Sequence, residues 1–80
     1  MAFVVVTGVS ADFNMIVTLK LHMEVFGSSL REAREDLDPV YFATKWPVEF
    51  GVNNTEKAAR FVYLAHQIGV ICHLRSGFGG

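Results

Sequence analysis

A single cysteine, Cys72, leaves this chain of 80 residues without any intrachain disulfide, which fits a reducing compartment. Charge of either sign is also scarce. Seven Lys and Arg stand against eight Asp and Glu, scattered without a run, and the formal net charge is −1. Phosphate backbones are bound by concentrated basic patches, so nucleic acid is excluded as the expected partner. No apolar run approaches the ~18 residues of a membrane span. Val9-Ser10-Ala11 imitates a signal-peptidase site. No basic segment precedes it, and Thr7 and Gly8 interrupt the apolar stretch, so the N-terminal residues are expected within the mature fold. A cytoplasmic location is the expectation.

What the chain has in surplus is apolar material. Hydrophobic residues make up 51% and charged residues 19%, against about 45–50% and about 25% in ordinary domains. A domain this small buries roughly 60% of the surface that its unfolded chain exposes. Some apolar surface is therefore expected to remain outside, where a partner or a second copy would cover it.

Local patterns divide the chain into elements. Ala2–Val9 is a β-branched run with apolar residues on both faces, so it is expected either centrally in a sheet or at an interface. Met15–Phe26 alternates Val17, Leu19, Leu21, Met23 and Val25 with Thr18, Lys20, His22 and Glu24. That period favours a strand, because a helix would place apolar residues on opposite sides. Ser29 and Glu32 have capping-box spacing before a short helix, which Asp38-Pro39 is expected to stop. Tyr41–Trp46 reads as extended and Val48–Val52 as a strand. Asn53 and Glu56 cap a second helix carrying Phe61, Leu64, Ala65 and Ile68 on one face, with Gly69 as its stop. Val70–Arg75 closes the fold as a strand. Glu24–Ser29 and Glu49–Asn54 echo each other at a spacing of about 25 residues, as ordinary βα punctuation does.

These elements specify one α+β domain over residues 1–75 with a loose tail over 76–80. The sheet is antiparallel or mixed, with two or three helices on one face.

Gly27-Ser28-Ser29-Leu30-Arg31-Glu32-Ala33-Arg34-Glu35 resembles the glycine-rich loop and following helix of the C-terminal domain of the bacterial ribosomal stalk protein. Gly51-Val52, Glu56–Leu64 and Gly69–Leu74 resemble its last helix and strand, and Asn14 and Lys20 match its first helix. The closing strand is also similar to that of the Clp-protease adaptor, which shares the fold. The resemblance implies a helix over Met15–Phe26, against the local period. It also implies that Lys20, Arg31 and Arg34 match basic positions that contact translation factors. The chain departs from the family at Ser29, where a second glycine stands, at the bulky Tyr41, Phe42, Trp46 and Phe50, and in lacking the dimerising N-terminal domain and hinge.

Chemistry-bearing residues are few. His22, His66, Cys72 and His73 are the ligand candidates besides carboxylates. Cys72 and His73 point to opposite faces of a strand, no paired-ligand spacing occurs, and no metal or cofactor is expected. His22 and His73 would meet only on the polar face of one sheet. Cys72 belongs to a core face, and the carboxylates Glu32, Glu35, Asp36 and Asp38 crowd a solvated helix end. Asn53-Asn54-Thr55 matches the glycosylation sequon, but a helix cap accounts for it. An enzyme is not expected.

The leading function is a non-catalytic protein-interaction module, self-associating as a homodimer and docking on a larger protein. A small accessory or inhibitory protein, cellular or viral, fits that description. Tyr41, Trp46 and Tyr63, with Lys20, Arg31 and Arg34, are the partner-binding candidates. Val4, Val5 and Val6 are the self-association candidates, through pairing at the edge of the first strand. Phe42, Trp46 and Phe50 are expected in the core. A ligand- or metal-binding regulatory domain on the sheet's polar face is the alternative, and a minimal enzyme a third.

Overall fold

The computed structural model describes residues 1–76. Six elements follow in the order β1 (Ala2–Val9), α1 (Met15–Phe26), α2 (Leu30–Tyr41), β2 (Val48–Val52), α3 (Thr55–His66) and β3 (Val70–Ser76). The sheet is antiparallel in the order β2-β1-β3, and the three helices cover one of its faces. The architecture is the expected α+β domain. Ser76 still belongs to β3, and the remaining tail positions, 77–80, lie outside the described residues.

Strand β1 is central, with β2 on one side and β3 on the other. It offers no edge for a second copy, so the expected self-pairing through Val4, Val5 and Val6 does not hold. Val4 and Val6 lie in the core beside Phe50, Phe61, Val70 and Cys72. Val5 points to the face away from the helices and is nevertheless only 5% exposed. Its cross-strand neighbours are Glu49 and His73. Next to them, Arg75 stretches over the Phe3 ring, 4.5 Å from its centroid, and bonds Glu49 at 2.7 Å. A roof of long polar side chains thus replaces a second layer of helices. The two apolar faces of β1 are explained by centrality.

Met15–Phe26 is a helix, not the strand that its alternation suggests. Both ends are fixed by local chemistry. The Asn14 side chain accepts from Val17 N at 3.1 Å, and Gly27 leaves the helix at φ 64°. The helix buries Thr18, His22 and Val25 and packs against both α2 and α3, while Ile16 and Val17 stay exposed. Thr18 is tolerated inside because its hydroxyl donates to the Asn14 carbonyl at 2.8 Å.

Pro39 does not stop α2. It lies in the last turn, where its missing N–H removes one bond, while Phe42 N donates to Asp38 O at 2.9 Å and Val40 is buried. Tyr41 is therefore helical and the extended reading of Tyr41–Trp46 fails. The capping box at Ser29 and Glu32 forms in both directions, at 3.2 and 2.9 Å. These bonds hold the Glu32 carboxyl below its usual range. Helix α3 is capped one residue later than expected, by Asn54 accepting from Lys57 N at 3.0 Å. Gly69, at φ 90°, permits a close approach: a Cβ there would meet Ser10 Oγ at 2.7 Å.

Candidate functional site

Of the depressions beside α1, one is markedly apolar and another polar. The apolar one is a groove of about 480 Å³ between α1 and α2, floored by Met15, Leu19 and Met23. Ile16 and Leu30 stand on its walls, and Tyr41 and Phe42 close one end in an edge-to-face pair with ring centroids 4.9 Å apart. Ile16 is 65% exposed and Phe42 70% exposed. Large apolar side chains in contiguous, water-facing positions mark surfaces that other molecules cover.

The groove gathers some of the candidates and leaves others apart. Tyr41, Lys20 and Arg34 line it, together with Asp38. Arg31 lies beside it in a shallower hollow shared with Leu30 and Arg34. Arg31 and Arg34 pair along the helix with Glu35 and Asp38, at 3.6 and 3.7 Å. Tyr63 is on α3, in a separate hollow with Ala59 and Val62, and Trp46 sits in the α2–β2 loop before the cis Pro47. Neither lines the groove. Phe42 and Trp46 are not core residues; of the aromatics expected there, only Phe50 is buried. Burial of Val40 and Leu37 turns the α2 stripe inward and sends Tyr41 and Phe42 out.

The polar depression, about 340 Å³, lies between the α1–α2 turn and the β2–α3 turn. These are the two echoing segments, and Ser28, Asn53, Asn54 and Lys57 line it. Beneath it His22, 3% exposed, is held at both ring nitrogens. Nδ1 is 2.7 Å from Ser28 Oγ and Nε2 is 2.8 Å from Asp36 Oδ2. The ring packs edge-on against Phe26 and Phe61. Sequence reasoning missed this cluster, because placing His22 on a strand set it far from Asp36. The available signal was the pair of helix-end residues Asn14 and Gly27.

His22 and His73 do not meet, since they lie on opposite sides of the sheet. His66 Nε2 donates to the Cys72 carbonyl at 2.6 Å. Burial pushes the Cys72 thiol up to about 11, which leaves it a small hydrophobe at neutral pH. Among the described residues, no group of three or more His, Cys, Asp or Glu could hold a metal ion. Among the same residues, no helix is long and apolar enough to cross a membrane. No protein-family model matches the chain, and no curated protein is significantly similar to it.

Proposed function

We propose that this protein is a docking module whose α1–α2 groove receives an apolar helical segment of a larger protein. The exposed ring of Ile16, Leu30, Tyr41 and Phe42 around a methionine-rich floor is the observation that supports this reading. Methionine adapts its shape to a ligand, and an amphipathic helix inserts such a stripe at i, i+3, i+4 and i+7. The charged lining favours one class of occupant. Lys20 and Arg34 stand against Asp38 alone, so a segment with acidic residues beside its apolar face is preferred. The resemblance to the ribosomal stalk domain agrees, since Lys20 and Arg34 match its factor-contacting positions. Self-association through Val4, Val5 and Val6 is no part of this proposal, because that stretch of β1 is paired on both sides.

A synthetic amphipathic helix with leucines at that spacing and flanking glutamates tests the proposal by fluorescence polarisation. Binding should saturate, weaken with salt, and fall by about tenfold or more in a Leu30→Glu, Phe42→Glu double variant. Tyr63→Glu, outside the groove, should leave it unchanged. Absence of saturable binding, or equal loss in both variants, would contradict the proposal.

A further inference from the structure

On the flank of α1 away from the groove, the arrangement of Ser28, His22 and Asp36 has a chemical direction. A carboxylate only accepts hydrogen bonds, so the imidazole proton resides on Nε2, 2.8 Å from Asp36 Oδ2. Nδ1 then presents its lone pair, and the Ser28 hydroxyl donates to it across 2.7 Å. The other acceptor within reach of that hydroxyl, the His22 carbonyl, is at 3.4 Å. A hydroxyl bonded to a base that a third group orients is the geometric signature of an activated nucleophile. Ser28 is half-buried rather than sealed, and it lines the 340 Å³ polar cleft.

We infer that Ser28 is a nucleophile that accepts the acyl group of a small carboxylic ester, with His22 as general base. Asp36 is the positioning residue that fixes the imidazole tautomer. Ser28 Oγ bonds to the acyl carbon while its proton passes to His22 Nδ1. The bond to the alcohol oxygen then breaks, and the alcohol leaves with that proton. Water attacks the acyl-serine in the same way, giving its proton to Nδ1. Ser28 departs, recovers that proton, and the carboxylic acid is released. Lys57 brings one cation to the cleft lining, against the two carboxylates of Glu32 and Asp36. That acidic lining and the cleft volume select a short acyl group without a negative charge. The inference is independent of the docking groove.

The full chain, treated with a fluorophosphonate and mapped by mass spectrometry, provides the test. Wild type should carry one adduct, on Ser28, and should hydrolyse p-nitrophenyl acetate with that activity lost in Ser28→Ala. Asp36→Asn should slow labelling by roughly a hundredfold or more. Labelling should rise with pH in a single step in wild type, and that step should move in Asp36→Asn. Ser29→Ala should label like wild type. If Ser28→Ala does not fold, Ser28→Cys replaces it and should alkylate with iodoacetamide faster than a free thiol at neutral pH. A wild-type chain with no adduct on Ser28, or one whose labelling is unchanged in Asp36→Asn, overturns the inference and leaves His22 as a purely structural tie.

Discussion

His22 and Asp36 face each other across the α1–α2 interface, with Nε2 2.8 Å from Oδ2. The contact fixes how the two helices sit against one another, and so shapes both the polar cleft above it and the apolar groove between the same helices. The imidazole is buried while the carboxylate keeps 34% of its surface in water. Burial of one partner makes the loss of the other costly.

Asp36→Ala should destabilise the protein by about 1–3 kcal/mol, because it strands a buried N–H without its acceptor. Ser28→Ala should cost less, about 0.5–1.5 kcal/mol. Urea denaturation of both single variants and the double variant checks this. Strict additivity would show that the two contacts do not act through one ring.

Phe61 and Leu64 separate the centre of the core from its margin. Phe61 is fully buried among Phe26, Phe50 and the His22 ring, whereas Leu64 is only half-buried. Phe61→Ala should cost about 3–5 kcal/mol. Leu64→Ala should cost about 1–2 kcal/mol, below the range for a full leucine truncation, because part of the side chain is already in water. Equal losses from the two variants would mean that α3 is rotated from the orientation described.

The elements that were legible from sequence were those whose local and global signals agree. In β2 and β3, alternation, β-branched residues and flanking turn residues all point the same way, and both strands lie where the pattern puts them. In α1 the signals conflict. Its period of two comes from Thr18 and His22, polar residues that are buried because Asn14, Ser28 and Asp36 satisfy them. Those partners are invisible to a hydropathy pattern. The caps at Asn14 and Gly27 were the better guide, and they bracket a 12-residue helix. The groove was partly legible, through Tyr41, Lys20 and Arg34. Its floor was not, because Met15, Leu19 and Met23 share a surface only when the segment is helical. Pro39 misled for a related reason: burial of Val40 keeps the last turn of α2 closed beyond it.

Cys72 gives a prediction for alkaline pH. Burial raises its thiol from an ordinary value of 9.0 to about 11. Below about pH 9 the folded and unfolded chains both hold the proton, so this group adds no pH dependence. From about pH 9 to about 11 the unfolded chain releases the proton first, and stability falls. Cys72→Ala should show a shallower alkaline loss than wild type when both are followed by thermal melting across that interval. Parallel curves would contradict a buried, protonated thiol. At neutral pH the same thiol should resist iodoacetamide until the protein is unfolded.

The docking proposal is tested most directly by the chain's own methionines. Of the three methionines in the sequence, Met15 and Met23 line the groove, and Met1 lies beside Gly51 and Phe3 on the opposite face of the sheet. Selective ¹³C labelling of the methionine methyl groups therefore gives two reporters within the groove and one internal control outside it. Titration with the acidic amphipathic helix should shift the Met15 and Met23 signals to a common saturation point and leave Met1 in place. A dilution series without peptide separates a second copy as the occupant, since the same two signals would then move with protein concentration. Shifts confined to Met1, or no shift at any of the three, would contradict the proposal that the α1–α2 groove is where this protein meets its partner.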